Sequence, residues 1–209
     1  MRKFMAIVGL AMLCSTSAQA LNIVDVEVAY GNYSGISVPG YGQPWATPLI
    51  FTDSKGHSSI VFCDDLNHDI SPGYGQNLMF SYGPVKVDGI GNALTVSQSA
   101  TMGRLAGIGR ADYLSGNEDA AMAAQGAIWA VEYKVPVTSS NPAVQGYLTA
   151  YESIPVTGSR YAMGLLSQQG YQSQIIGTPE PSTWVMMLCG FVMLGWSAYH
   201  HGKREKVEG

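Results

Sequence analysis

Two apolar segments stand at opposite ends of this 209-residue chain and confine any compact fold to the residues between them. The first covers residues 4–13, follows a basic start, and is followed by the small residues of Ala18-Gln19-Ala20. This is the pattern of a secretory signal peptide over residues 1–20, cleaved after Ala20. The second segment spans residues 184–199. What remains, residues 21–177, has the length of one domain of ordinary size.

Charge and cysteine content argue against a nucleic-acid-binding protein and against a domain held together by internal disulfides. The formal net charge is −4 and only 12% of the residues are charged, so no basic surface favours a nucleic-acid partner. Of the three cysteines, Cys14 and Cys189 lie in the terminal apolar segments, so residues 21–177 keep only Cys63 and cannot form an internal disulfide. A single thiol in an oxidising compartment is expected to be buried and inert, consumed in an internal bond, or paired between chains.

The pattern of the central region changes halfway along the chain. From residue 21 to about 90, apolar and polar residues alternate in short runs broken by Gly and Pro, which predicts strands. Asp53-Ser54-Lys55-Gly56 predicts a hairpin loop, and Cys63 falls at the end of the strand that follows. From about 95 to 169 the spacing predicts helices. The fold class is therefore expected to be α+β, with a strand-rich N-terminal half packed against a helical C-terminal half.

Four segments carry the helical prediction. They are residues 96–114, which several glycines weaken, residues 120–133 behind the cap-like Asn117-Glu118-Asp119, residues 142–154 with Pro142 in the first turn, and a short helix within 159–169. Residues 175–177 are expected to form a last strand or a linker.

The C-terminal segment has three parts in a fixed order. Pro179-Glu180-Pro181-Ser182-Thr183-Trp184 precedes the apolar residues 184–199, and Lys203-Arg204 follow. The apolar run is short for a hydrocarbon layer of roughly 30 Å, but it can insert with its basic end in the cytoplasm. Residues 178–209 resemble the PEP-CTERM sorting signal. The resemblance implies a transmembrane helix that is recognised by an exosortase and cleaved near Pro179, Glu180 and Pro181. A permanent tail anchor is the alternative.

Two short motifs in the central region are 62 residues apart. Phe62-Cys63 resembles the aromatic-Cys motif of bacterial thioester domains, and Ala124-Gln125-Gly126-Ala127-Ile128-Trp129 resembles their Gln-x-x-apolar-Trp motif. The resemblance implies an internal thioester between the sulfur of Cys63 and the side-chain carbonyl of Gln125. Asp65 departs from that family, which usually has an apolar residue there. Cys63-Asp64-Asp65 followed by Gln-x-Ala-Ile-Trp also resembles a set of sorting-tail proteins.

The chemistry of a thioester needs these residue types. A thiolate is the common side-chain nucleophile that can attack a carboxamide and leave a reactive acyl bond. An amine or hydroxyl can then take the acyl group of Gln125 and free Cys63. Trp129 and Phe62 are expected to shield the bond from water, with Asp64, Asp65 and His68 as supporting residues and His68 as a candidate general base.

The acidic loop after Cys63 has other interpretations. Asp64, Asp65, His68 and Asp69 favour a loop whose carboxylates accept backbone hydrogen bonds, and a divalent-cation site is the alternative. We expect no metal and no cofactor. For Gln125 the ordinary alternative is a hydrogen-bonded core residue.

The sequence therefore predicts an exported, non-enzymatic protein of the cell envelope or exopolysaccharide matrix. It is anchored by its C-terminal helix and then released to the surface or matrix. Its partners are signal peptidase, an exosortase, the membrane before cleavage, and a surface amine, hydroxyl or exopolysaccharide that is captured covalently. The alternative is a non-covalent structural or carbohydrate-binding matrix protein that uses Tyr30, Tyr33, Tyr41 and Tyr74. A third hypothesis is a hydrolase that uses Cys63 and His68.

Overall fold

The computed structural model describes residues 20–30, 35–167, 170 and 172–177. Within them a β-barrel packs against three helices. The strands are β1 (Ala20–Val28), β2 (Ile36–Ser37), β3 (Leu49–Asp53), β4 (Ser58–Cys63), β5 (Gly73–Pro84), β6 (Thr138–Ser139), β7 (Met163–Ser167) and β8 (Gln174–Ile176), and the helices are α1 (Val96–Leu114), α2 (Glu118–Tyr133) and α3 (Pro142–Glu152).

Six of the strands close into an antiparallel barrel. Their order around it is β1-β3-β4-β8-β7-β5, and β5 pairs with β1 to complete the ring. The last two strands in the sequence therefore lie between β4 and β5. The short strands β2 and β6 form a separate two-stranded sheet. Closure removes exposed edges, which are a liability of open sheets. The barrel interior holds one apolar cluster, built from Ile23, Val26, Leu49, Phe51, Val61, Leu78, Phe80 and Leu165.

A second, larger apolar cluster lies between the barrel and the helices. It includes Phe62 and Cys63 from β4, Ile175 from β8, and the buried faces of all three helices. Strand β4 therefore contributes to both cores, because successive side chains of a strand point to opposite faces. The end of this strand is the point at which the barrel and the helical layer meet.

Each helix begins where the sequence supplies a cap. Thr95 and Gln98 form a reciprocal capping box at the start of α1. The side chain of Asn117 accepts the N–H of Ala120 at the start of α2, and Asn141 does the same for Ala143 in α3. The three long predicted helices are thus confirmed, and so is the α+β fold class.

The prediction of a short helix within residues 159–169 is wrong. Residues 163–167 form β7, which pairs with both β5 and β8. Met-Gly-Leu-Leu is compatible with either element, and Thr157 and Ser159 before it are residue types that also cap helices. Long-range pairing decides in favour of a strand, because Leu165 completes the apolar interior of the barrel.

The predicted signal peptide and sorting signal lie outside the described residues, apart from Ala20, which begins β1. This applies to Pro179, Glu180, Pro181 and the predicted transmembrane helix 184–199. Among the helices that the structure describes, none combines the length and the apolar character needed to cross a membrane.

Candidate functional site

The side-chain carboxamide of Gln125 makes two hydrogen bonds to the backbone of Cys63. The N–H of Cys63 donates to Oε1 of Gln125 at 2.8 Å, and Nε2 of Gln125 donates to the carbonyl of Cys63 at 2.6 Å. Gln125 is fully buried and Cys63 is 4% exposed. The structure therefore brings together the two residues that the sequence motifs single out, although 62 residues separate them.

The reason for this contact is a gap in the barrel's hydrogen bonding. Strand β3 pairs with β4 only as far as Leu49 opposite Val61. The N–H of Asp64 bonds the carbonyl of Ser173 on the β8 side, so the backbone groups of Cys63 face the other way, where β3 does not extend. Gln125 supplies the missing donor and acceptor. Buried backbone groups need such partners, since leaving one unpaired costs about 1–3 kcal/mol.

The sulfur of Cys63 is held by the backbone of Asp65. Sγ donates to the carbonyl of Asp65 at 3.0 Å and accepts the N–H of the same residue at 3.3 Å. Burial raises the pKa of the Cys63 thiol well above its ordinary value, and the neighbouring carboxyl groups of Asp64, Glu132 and Asp65 raise it further. The free sulfur is therefore a neutral thiol at physiological pH.

The side chain of Asp65 organises the loop that follows. Its Oδ1 accepts the N–H groups of Asn67 and His68, and its Oδ2 lies 2.6 Å from Nδ1 of His68. This agrees with the interpretation of a loop whose carboxylate accepts backbone hydrogen bonds. Within the described residues, no group of three or more His, Cys, Asp or Glu side chains could hold a metal ion.

Asp64 and Glu132 bring two buried carboxyl groups close to Cys63. Burial raises the pKa of Asp64 to about 8, and the charge of Asp65 adds to this effect. Burial also raises the pKa of Glu132 well above its usual range, with a further contribution from Asp64. One oxygen of Glu132 accepts the N–H of Gly89, while Oδ1 of Asp64 and Oε2 of Glu132 have no hydrogen-bond partner in the described structure.

Trp129 and Phe62, the two predicted shielding residues, are both buried in the core that contains Cys63. Trp129 lies one turn after Gln125 on the same face of α2 and is 1% exposed. Phe62 is fully buried next to Gly109 of α1 and Ala124 of α2, and a methyl group at Gly109 would lie 2.7 Å from both. The two helices can approach this closely only because residue 109 has no side chain.

A cavity of about 400 Å³ leads from the surface to Cys63 and Trp129. Trp45, which is 57% exposed, lies among its walls. The polar groups of the lining come from Thr47, Asp69, Ser71 and Gln172, and no Lys, Arg or His is among the lining residues. Cys63 is therefore within reach of a small external molecule through an uncharged to weakly acidic passage, and the fully buried Gln125 lies behind it, outside the lining.

The tyrosines proposed as a carbohydrate-binding surface are not an exposed platform where the structure describes them. The ring of Tyr30 packs against Tyr113 at 5.2 Å, and the ring of Tyr41 packs against Tyr133 at 5.1 Å. Both are only partly accessible. The side chains of Tyr33 and Tyr74 lie outside the described part of the structure.

Sequence reasoning missed three residues of this site. Gln172 donates to the carbonyl of Asp65 at 2.6 Å, the same oxygen that accepts the thiol of Cys63. Gln174 is fully buried and pairs with Cys63 across β4 and β8. Glu132 lies seven residues after Gln125, so helical spacing was the signal that could have found it. No local signal identified the two glutamines, because β8 joins the site through barrel closure.

The chain matches no protein-family model, no curated protein and no solved structure.

Proposed function

We propose that this protein is an exported component of the cell envelope or exopolysaccharide matrix that attaches itself covalently through a Cys63–Gln125 thioester. The observation that carries the proposal is the pair of hydrogen bonds between the Gln125 carboxamide and the backbone of Cys63. They hold the carbonyl carbon beside the residue whose sulfur attacks it. The sorting part of the proposal rests on the sequence of residues 1–20 and 178–209.

The N–H of Cys63 is well placed to promote the closing reaction. When Sγ attacks the carbonyl carbon of Gln125, negative charge develops on Oε1. A backbone N–H at 2.8 Å from that oxygen stabilises the charge as an oxyanion-hole donor does. One such donor contributes a factor of roughly 10²–10³ in rate in enzymes of acyl transfer.

The atoms of the closing reaction balance without a cofactor. The S–H bond of Cys63 and the C–N bond of Gln125 break, and a C–S bond forms. The thiol proton joins the departing NH₂ group, which leaves as ammonia. Burial raises the pKa of the Cys63 thiol, so the proton has to leave the sulfur as it attacks, and the departing nitrogen is the group that accepts it. The burial of both residues and the indole of Trp129 protect the product from water.

Intact mass tests the proposal directly. The mature protein is expected to be about 17 Da lighter than its sequence mass, since closure releases one ammonia. Methylamine should abolish the deficit by adding across the bond, and denatured protein should then show one free thiol at Cys63. Cys63→Ser is the control and should have its full sequence mass and no methylamine adduct. A full-mass protein whose thiol reacts stoichiometrically under native conditions would rule the thioester out.

A second function is favoured by the same two hydrogen bonds. They satisfy both ends of the Gln125 carboxamide, so Gln125 would also serve as a non-covalent clamp between α2 and β4. In that case the protein is a structural matrix component without a reactive bond. It would then have the full sequence mass, and Cys63→Ser would behave like the wild type.

A further inference from the structure

Asp65 and His68 form a carboxylate–imidazole pair in the loop that follows Cys63. The side chain of Asp65 is 4% exposed and that of His68 is 47% exposed. Oδ2 of Asp65 accepts Nδ1–H of His68 at 2.6 Å, which fixes the tautomer so that Nε2 keeps its lone pair. Within the described residues Nε2 has no hydrogen-bond partner. A buried carboxylate that orients a half-exposed imidazole is the arrangement of a general base.

The backbone of Asp65 connects this pair to the reacting atoms. The same residue whose side chain orients His68 bonds Sγ of Cys63 through its N–H and its carbonyl. Leu66 and Asp69, on either side of His68 in the loop, line the cavity that reaches Cys63. The imidazole therefore belongs to the loop that forms one wall of this passage.

Because His68 is partly exposed, we place its role in the second step of the chemistry, the attack of an external molecule on the thioester. Thioester closure takes place at Gln125, which is fully buried, and its proton passes from the thiol to the leaving group. Attack by an external molecule comes through the cavity, on the side where the loop of His68 lies. A base is needed in that step only if the nucleophile must lose a proton as it attacks. A neutral amine attacks with its own lone pair, whereas a hydroxyl is a poor nucleophile unless its proton is removed.

We infer that the captured molecule is a hydroxyl compound, namely a neutral saccharide or polyol. His68 activates its hydroxyl group, and Asp65 holds His68 in position to do so. This inference rests on the proposed thioester. In the step, Nε2 of His68 takes the hydroxyl proton while the oxygen bonds the carbonyl carbon of Gln125. The C–S bond breaks and the sulfur takes the proton from His68. The products are an ester of residue 125 and the free thiol of Cys63.

The lining of the cavity fits the same class of ligand. The half-exposed indole of Trp45 offers an apolar face for the C–H side of a sugar ring, and Asp69, Ser71 and Gln172 offer polar atoms for its hydroxyl groups. The lining has a carboxylate and no cationic side chain, so it disfavours an anionic saccharide. The sulfur, once released, is stable as a thiol, because burial raises its pKa.

The chain supplies a matched control for His68. In the β3–β4 hairpin, Nδ1 of His57 bonds Oδ2 of Asp53 at 3.2 Å, and the side chain of His57 is 75% exposed. This second pair has the same composition but lies away from Cys63. His57→Gln therefore removes an imidazole with a carboxylate partner and leaves the site untouched.

The experiment compares two small probes, glycerol and methylamine, on the purified full-length chain in detergent. Adducts are followed by intact mass, and hydroxylamine separates esters from amides. We expect His68→Gln to slow glycerol capture by a factor of about 10², to leave methylamine capture within about twofold, and to slow hydrolysis of the bond by water. Imidazole added to His68→Gly should restore glycerol capture, and His57→Gln should match the wild type.

Three results would overturn the inference, and they are separable from failure of the thioester. The first is a wild type that takes methylamine and not glycerol. The second is a His68→Gln variant in which both probes slow equally, which would indicate a structural role. The third is a His68→Gly variant that imidazole does not restore. If the wild type shows no mass deficit before any probe is added, the proposed function itself fails, and this inference fails with it.

Discussion

At the scale of single residues, the site depends on a strand that begins two residues too late to pair with Cys63. Because β3 begins at Leu49, opposite Val61, it does not extend to the peptide groups of Cys63. The carboxamide of Gln125 has the donor and acceptor that these groups need. The same hydrogen bonds that satisfy the backbone of Cys63 hold the Gln125 carbonyl carbon beside the residue whose sulfur would attack it. The structural and chemical roles of Gln125 therefore need to be measured separately.

Gln125→Glu in the Cys63→Ser background measures the structural role alone, because no thioester can form there. The carboxylate would place an oxygen, instead of an N–H donor, against the carbonyl of Cys63 in a fully buried position. We expect the free energy of unfolding in denaturant to fall by roughly 1–3 kcal/mol relative to Cys63→Ser. A loss below about 0.5 kcal/mol, the size of an ordinary surface effect, would mean that the clamp contributes little.

Asp64 makes a separate prediction about pH. Its pKa is raised by burial to about 8 from an ordinary value of 3.8, so the folded protein binds the proton more tightly than the unfolded chain does. The stabilisation from this proton is complete below pH 4 and is lost as the pH rises toward 8. Glu132 shifts in the same direction. We expect thermal stability to fall between pH 6 and pH 8, by several degrees in melting temperature, and to change less above pH 8.

Asp64→Asn keeps the side chain neutral at all pH values and should flatten that dependence. Glu27→Gln, at an exposed position of β1, is the control and should follow the wild-type curve. Melting temperatures measured by circular dichroism at pH 6, 7, 8 and 9 are sufficient. A wild-type protein that becomes more stable over this range would contradict the buried, protonated state of Asp64.

At the scale of secondary-structure elements, helix α2 determines which side chains meet β4. Gln125, Trp129 and Glu132 follow one another at helical spacing on a single face, and each contacts the site or lines its cavity. This arrangement could be predicted from the sequence once the helix was recognised. The close approach of α1 to α2 could not be predicted, because from the sequence Gly109 only lowers the helix propensity of α1.

Gly109→Ala tests whether that close approach supports the site. The added methyl group would lie 2.7 Å from both Ala124 and Phe62, so the helices must separate. We expect a loss of about 1–3 kcal/mol in the free energy of unfolding. Gly146→Ala in α3 is the matched control, since nothing lies within 4 Å of the new methyl group. It should gain up to about 1 kcal/mol from helix propensity. Equal effects of the two substitutions would refute the packing argument.

The features that could be predicted from the sequence depend on residues close together in the chain. Those that could not depend on contacts between residues far apart in it. Local caps and periodicity predicted α1, α2, α3 and the end of β4 at Cys63. The sequence predicts a helix where β7 forms, because the pairing of β7 with β5 joins residues about eighty positions apart. The positions of Gln172 and Gln174 in the site follow from the same closure, since β8 reaches β4 only after the chain has passed through all three helices.

At the scale of the whole molecule, the proposed bond would join the barrel to the helical layer. Cys63 ends a barrel strand and Gln125 lies within α2, so a covalent link between them closes a loop of 62 residues. Such a link restricts the unfolded chain in the way that a disulfide does, because it removes conformations that the open chain can adopt. For a loop of this length the chain-entropy relation gives about 4 kcal/mol.

Breaking the bond should therefore lower the stability of the whole domain. We expect the wild type to melt several degrees above Cys63→Ser, and methylamine treatment to lower its melting temperature toward that of the variant. Apart from residues 63 and 125, the treatment leaves both cores unchanged, so the difference reports chiefly the covalent link, together with the methyl group added at residue 125. Methylamine should have no effect on Cys63→Ser. Identical melting temperatures before and after treatment, in a protein whose mass shows that the adduct has formed, would mean that the link adds no stability. The barrel and helices would then be held together by the shared apolar core and the clamp at Gln125 alone.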